Sequence, residues 1–494
     1  MNHLTSLRDY IDALAKIGEI QPIDQEVDWN LEMGAIIRRS YDLKAPAPLF
    51  NTITGIEHGF RALGAPGGVS RQPGLYLSRV ALSLGLEPRA RGQEIIEALA
   101  AARGRTPIPP REVATGPCKD HVLVGDKVDL LRLPAPFIHS GDGGRYLNTY
   151  GVIIVRTPDK RWTNWSISRI MVVDKTRMTG LVVPNQHLGM IHAEWQKIGQ
   201  PTPFALALGT EPFIPFVGGM PLPSGVDEAD YTGAYFGEPV EVVRCETVDL
   251  QVPATAEIVI EGFLSHEETA MEGPMGEYAG YVAPGPGTPK PVYRVTAMTH
   301  RTDPILPVVA AGEPVEEDHT AWGLPHAGEL LYELRGLGLP VTMCWMTLET
   351  ACHWLVVTVA QDWRQTTHLD SPALIRQVGD IVFGSKAGFG IPKVLLMEDD
   401  VDATNTDEVI WAFATRCHPV IGEVAFGHEA TTNLPVFLDS KEKLEFLTTK
   451  AVYNCLSHDD WTPETAPKRT SFRALWPAEI QEKVLRNWRA YGYT

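Results

Sequence analysis

The sequence predicts an α+β protein, with a mainly β unit in its middle and an α/β unit after it. Between about Cys118 and His300, runs rich in Val and Ile are separated by irregular turns, with few helical stretches between them. After Glu313–Asp318, helical and strand-like runs alternate, as an α/β unit requires. At 494 residues the chain is too long for one core, so two or three domains are expected.

Ser6 and Asp9 have the spacing of a capping box, Leu7, Ile11 and Leu14 recur at helical spacing, and Gly18 stops that helix. A mixed helical region that includes Arg91–Arg103 follows, and the Pro-rich stretch Pro107–Pro117 reads as a connector. Tyr150–Arg156, a Thr-Pro-Asp-Lys turn at 157–160 and Arg161–Asp174 read as a hairpin. Val240–Glu246 and Ala256–Phe263 are further strands, and strands joined by irregular turns suggest a barrel or folded sheet. Val282–Pro291, rich in Pro and Gly, reads as a loop that could serve as a lid or simply lie on the surface. A helix is expected at roughly Gly328–Arg335. Val341–Leu348, His353–Ala360, a helix opened by Ser371-Pro372 and Val394–Glu398 make the α/β unit. The tail ends in a helix opened by Pro477 with Ile480, Val484 and Trp488 on one face, which must dock on its own domain or on a partner subunit. The units expected are 1–117, 118–312, a linking region 313–340, 341–455 and the tail 456–494.

The hydrophobic fraction of 44% and charged fraction of 21% are those of a soluble globular protein. A net charge of −18 argues against nucleic acid or an anionic membrane as partner, because phosphate surfaces need a basic face. It leaves room for a small anion held by a few placed cations. The six cysteines form no Cys-x-x-Cys pair and read as reduced thiols. No signal-peptide core and no membrane-spanning apolar run is found, so a cytoplasmic protein is expected.

The run Glu272-Gly-Pro-Met-Gly-Glu277-Tyr-Ala-Gly-Tyr281 carries the chemistry. Its glycines and proline forbid a regular helix, so the two acids sit on a shaped turn. Acids held close titrate as a pair with one pKa pushed up, which suits a general acid; a solvated surface turn is the alternative. In Asn164-Trp-Ser-Ile-Ser-Arg169, strand alternation puts Asn164, Ser166 and Ser168 on one side and Trp165, Ile167 and Arg169 on the other; a purely structural strand reads the same way. Asn185-Gln186-His187 suits a strand end, where a histidine is commonly a core residue. Glu228 sits in an acidic loop, Val-Asp-Glu-Ala-Asp, that would ordinarily be exposed. Asn164, His187 and Glu228 together could bind a divalent cation, their oxygen and nitrogen donors suiting Mn²⁺ or Mg²⁺ over structural zinc, although they lie far apart in sequence. Lys386 in Gly-Ser-Lys-Ala-Gly-Phe loosely resembles a phosphate-contacting turn without the full P-loop pattern.

The order of these pieces resembles the UbiD family of reversible decarboxylases, which use prenylated FMN, and the similarity runs through almost the whole chain to the Trp-Arg-Ala-Tyr-Gly ending. The chain is similar to the ferulate and pyrrole-2-carboxylate decarboxylase branch. The resemblance implies a split-barrel flavin domain, a linking helix and a dimerising α/β domain. It implies Asn164, His187 and Glu228 as ligands of a Mn²⁺ that meets the cofactor phosphate. Trp165, Met220, Glu228 and Arg416 fall where the family places K⁺ and the phosphate surroundings. Ile167, Ser168, Gln186 and Lys386 match cofactor contacts, and Arg169, Glu272 and Glu277 match a Glu-Arg-Glu catalytic network. It also implies a homodimer, and a UbiX-type flavin prenyltransferase as the cofactor's source.

Losing CO₂ from an sp² carbon leaves an in-plane carbanion that the ring's π system cannot delocalise, so a cofactor must act as electron sink, by resemblance through a covalent adduct with the prenylated flavin. Arg169 then orients the substrate carboxylate, Glu277 supplies the proton and Glu272 holds Arg169. Asp318, Trp322 and Phe389 line up with pocket positions. They favour an aromatic or heteroaromatic acid of pyrrole, indole or hydroxybenzoate type over a cinnamate-type acid. A flavin-independent metal hydrolase using Asn164, His187 and Glu228, and a non-catalytic subunit, are the competing functions.

Overall fold

The computed structural model describes residues 2–462 and 464–493; Met1, Pro463 and Thr494, which fall in the expected N-terminal region and tail, lie outside the described residues. The first helix forms as Leu7–Lys16. Ser6 Oγ accepts the Asp9 amide and donates to the Asp9 carboxylate, and Gly18 takes a φ of 74° just past the helix end. Strands Ile20–Ile23, Ala47–Phe50 and Arg61–Gly64 join Ile305–Val308 in a four-stranded sheet, which ties the start of the chain to its middle. The Pro107–Pro117 connector contains a short strand, Arg111–Glu112, paired with Glu241–Arg244. The latter replaces the longer strand expected at Val240–Glu246.

A nine-stranded sheet forms the middle of the molecule. Its path ends in Tyr146–Asn148 on one side and Thr163–Ser166 on the other, and these two do not pair, so the curled sheet remains a half-barrel. The expected hairpin is cut short. Val152–Arg156 pairs with Thr163–Ser166, but the second strand stops there, because Ile167 donates its amide to Gly218 O at 3.1 Å instead of to the sheet. Ile170–Val172 is a separate strand between Tyr146–Asn148 and Arg177–Gly180. The two-sided alternation expected from Asn164 to Arg169 therefore holds only to Ser166. The strand expected at Ala256–Phe263 is Ile258–Glu272 and carries the first acid of the key run at its end. Thr288–His300 pairs with it, so the last four residues of the expected loop Val282–Pro291 are strand, which shortens the loop.

The linking helix begins earlier than Gly328. A wide π-type turn over Asp318–Gly323 runs directly into Leu324–Gly336, with Pro325, which has no N–H to give, just after the junction. Leu324, Ala327, Leu330, Leu331 and Leu334 are fully buried. The helix packs on Gly92–Arg103, and Gly328 permits the approach: a Cβ there would lie 2.8 Å from Leu99 Cβ. Beyond it a five-stranded mixed sheet takes the order Val341–Met346, Trp354–Val359, Lys393–Glu398, Leu447–Asn454, Glu423–Ala430. The helix Ser371–Gly384 is capped by Asp370, whose side chain accepts the Ala373 amide. The tail helix Ala478–Arg486 follows Pro477, and Ile480, Leu485 and Trp488 stay exposed. Among the described residues, no helix is long and apolar enough to cross a membrane.

Candidate active site

Two polar clusters meet at the short segment Asn164–Arg169. Arg169 lies where the chain leaves one strand and enters the next, its flanks held by Asn148 Nδ2 on Ser168 O (2.6 Å) and by Ser168 Oγ on Leu181 O (2.8 Å). Its guanidinium donates two hydrogen bonds to Glu272, Nε to Oε1 at 2.9 Å and Nη2 to Oε2 at 3.1 Å, and donates from Nη1 to Glu277 Oε1. Glu272, 2% exposed at the end of its strand, also accepts the Tyr146 hydroxyl at 2.8 Å. Glu277 follows on a tight turn in which its amide donates to Tyr281 O and its carbonyl accepts the Gly280 amide. Burial pulls the Arg169 pKa down, but the neighbouring carboxylates outweigh it and the net shift is upward. For Glu277 burial is the largest influence and raises its pKa; Arg169 opposes it, and Glu272 and Asp142 reinforce it. The Asp318 carboxyl is pushed up to about 7, first by burial and then by the negative charges of Glu277 and Glu317.

Asp318 opens the π-type turn, and His319 Nε2, on the next residue, lies 2.9 Å from Tyr278 O. The Trp322 ring stands 6.3 Å from that of Tyr278, and the 389–390 segment passes beside it, with a Cβ on Gly390 3.7 Å from the indole. Phe389 O accepts Lys450 Nζ at 2.5 Å. His326 Nδ1 is satisfied by Trp322 O at 2.8 Å, a structural role.

On the other side of Asn164 lies the second cluster. Glu228 is not in an exposed loop. It is the first residue of the helix Glu228–Phe236 and is 2% exposed, its charge satisfied by Asn164 Nδ2 at 2.8 Å and the Trp165 amide at 2.7 Å. Nor do Asn185-Gln186-His187 end a strand: Gln186 caps the helix His187–Lys197, and Gly189 lets it pack, since a Cβ there would meet Val183 O at 2.1 Å. His187 Nδ1 is 3.8 Å from Glu228 Oε1 and 3.3 Å from Asn164 Nδ2, and Lys386 Nζ is 2.5 Å from its Nε2. Burial lowers the Lys386 pKa to about 8. No group of three or more His, Cys, Asp or Glu poised for a metal occurs among the described residues; this set has two, with Asn164 as third donor. Asn164 Oδ1 is buried without a partner. Turning the amide over would aim that oxygen at the Glu228 carboxylate, which only a cation between them would tolerate, so these residues fit a bound divalent metal.

Trp165 is buried beside Glu228, and Met220 is buried between Gly218, which accepts the Ile167 amide, and Leu222, whose carbonyl accepts Lys386 Nζ at 2.6 Å. Arg416 does not join them. Asp400 takes its guanidinium in a two-pronged ion pair, with Glu398 at 3.7 Å and the Trp411 ring beside it. These residues line a cavity of about 1470 Å³ between the C-terminal sheet and the tail, which none of Arg169, Glu272, Glu277 or His187 lines. The Arg416 side chain is thus held by Asp400 and Glu398.

Fold and chain-wide comparison agree on the class. Models of the N-terminal, Rift-related and C-terminal domains of 3-octaprenyl-4-hydroxybenzoate carboxy-lyase match residues 11–99, 111–314 and 319–455, which makes the protein a carboxy-lyase. The chain belongs to the UbiD family. It is 42% identical over 486 residues, 98% of either chain, to the pyrrole-2-carboxylic acid decarboxylase of Pseudomonas aeruginosa. It is 40% identical over 500 residues, 100% of this chain and 99% of the other, to ferulic acid decarboxylase 1 of Saccharomyces cerevisiae. An evolved dimeric form of the UbiD-class enzyme HmfF from Pelotomaculum thermopropionicum, solved with prFMN, has the same fold at a TM-score of 0.77 and 26% identity, over 94% of this chain and 97% of that one.

Proposed function

We propose that this carboxy-lyase decarboxylates an aromatic or heteroaromatic acid of pyrrole, indole or hydroxybenzoate type, non-oxidatively and reversibly, with prenylated FMN and Mn²⁺. The observation that carries the reading is the guanidinium of Arg169 gripped along one edge by Glu272 and met on the other by Glu277. Prenylated FMN supplies the electron sink that an sp² carbanion lacks. Asn164, His187 and Glu228 would hold the Mn²⁺, and Lys386, Gln186 and the main chain at Ile167 and Ser168 would meet the flavin. His187 and Glu228 are each the first residue of a helix, and two helix N-termini meeting at one point favour an anion such as the cofactor phosphate. With Arg416 elsewhere, the potassium expectation rests on Trp165, Met220 and Glu228, and no step is assigned to it.

Because Glu272 occupies one edge of Arg169, a substrate carboxylate reaches the guanidinium by displacing Glu277. The displaced Glu277 takes up a proton from solvent, as its raised pKa favours, and delivers it to the carbon that loses CO₂. Once ionised, Glu277 returns to Arg169, which closes the cycle. Activity should therefore fall as pH rises through the Glu277 pKa. Trp322 offers a flat wall for a ring, and Asp318 a partner for a ring N–H or phenol. The names of the two relatives support an aromatic-type acid. A homodimer through the C-terminal unit is supported by exposed large apolar side chains concentrated in residues 410–493, among them Ile421, Phe446, Trp476 and Leu485. The test is to co-express the chain with a UbiX-type flavin prenyltransferase and screen ring carboxylic acids for CO₂ release. Turnover of a ring acid together with a flavin spectrum supports the reading; cinnamate turned over faster than every ring acid contradicts it, and metal-dependent hydrolysis without flavin would favour the hydrolase.

A further inference from the structure

We infer that His139 and the buried Asp142 position the Glu277 turn, and that the Asp142 carboxylate helps hold the proton on Glu277. This rests on the reading of Glu277 as proton donor and deepens it. The loop 139–143 grips the segment 273–276 through two hydrogen bonds. Asp142 Oδ1 accepts the Gly276 amide at 3.0 Å, one residue before Glu277, and the Gly143 amide donates to Pro274 O at 2.7 Å. The contact leaves no slack. A Cβ on Gly276 would lie 2.7 Å from the His139 ring, and one on Gly143 would lie 2.2 Å from Gly273 O.

Asp142 accepts the Gly276 amide on one oxygen and the His139 amide, at 3.0 Å, on the other, and lies 3.1 Å from His139 Nδ1. Amide donors on both oxygens suit a carboxylate. His139 Nε2 is buried without a hydrogen-bond partner. Asp142, with a side chain 0% exposed, pairs with His139 and has no Lys or Arg against it among the described residues. Glu272 differs, because Arg169 neutralises it.

The groups facing Glu277 divide by sign. Arg169 draws its proton off, Glu272, Asp142 and Asp318 hold it on, and the Tyr146 and Tyr278 phenols are neutral. Burial is the largest influence opposing Arg169 at Glu277, and the Glu272 and Asp142 carboxylates add to it. Asp142 acts on Glu277 through the Gly276 amide, so it is a positioning residue.

The test is an infrared titration of the full-length, flavin-loaded enzyme, with E277Q assigning the Glu277 carboxyl band. D142N, which keeps the shape and removes the charge, should lower the midpoint of that band by about one pH unit, and the alkaline limb of the kcat profile should move with it. H139Q keeps the charge and should lower kcat about 10-fold with the midpoint unmoved. Should D142N fail to fold, D142S carries the same test. An unchanged midpoint in the charge-removing variant, or an unchanged kcat in H139Q, overturns the inference. If E277Q itself leaves CO₂ release intact, the reading of Glu277 as donor has failed instead.

Discussion

The two clusters around Asn164–Arg169 solve the burial of charge in opposite ways. Around Arg169 the chain is complete: one cation lies between two acids, with Tyr146 on Glu272 and the Asp142 loop beneath Glu277. Around His187 it is incomplete, because Asn164 Oδ1 is sealed from solvent with nothing to bond, beside an anionic Glu228. A self-sufficient cluster suits groups that must change protonation and recover within each turnover. A cluster with an orphaned oxygen suits a fixed ligand that supplies the missing charge.

That contrast can be broken at several points. Arg169→Ala should have the largest effect of these, since it removes the carboxylate partner and leaves two acids facing each other; kcat/KM should fall about 10²–10³-fold in a CO₂-release assay. Arg169→Lys should recover only part of this, because an ammonium lacks the second prong. On the other cluster, Asn164→Ala or His187→Ala should weaken Mn²⁺ binding, read by elemental analysis and flavin retention, by about 100-fold. If flavin stayed bound at parental levels after both changes, the division of labour would be wrong. Tyr146→Phe removes one hydrogen bond worth about 1 kcal/mol to a charged group already held twice, so turnover should drop about 5-fold.

The smallest effect concerns stability. Asp318 has a folded-state pKa near 7, above its unfolded value. Its neutral form is compatible with the fold at low pH, and stability is lost as pH rises from the unfolded pKa through 7. Asp318→Asn stays neutral throughout, so denaturant titrations should show it more stable than the parent by about 1–2 kcal/mol at pH 8 and equal near pH 4. A constant difference across that range would show that Asp318 is not the titrating group.

Local pattern made much of this legible in the chain. The spacing of Leu7, Ile11 and Leu14 marked its helix, the Val-rich run around Val152–Arg156 its strand, and the glycines around Glu277 a turn instead of a helix. What stayed hidden depends on residues far apart. The break after Ser166 depends on Gly218 taking the Ile167 amide. Glu228 reads as a solvated acid until Asn164 and the Trp165 amide are brought to it across the fold. Tyr146 meets Glu272 across 126 positions and Asp142 meets Gly276 across 134; the one local hint was a Gly-Gly pair set between titratable residues in Asp142-Gly-Gly-Arg-Tyr146. The partners of Arg416 were equally hidden, since they lie in the adjacent strand Lys393–Glu398 and the turn after it.

The most direct test is CO₂ release by flavin-loaded Glu277→Gln, matched to the parent in cofactor content and assayed on the best ring acid. Proton delivery by Glu277 predicts a loss of about 10²–10⁴-fold with acid binding largely kept. Turnover equal to the parent's would contradict it.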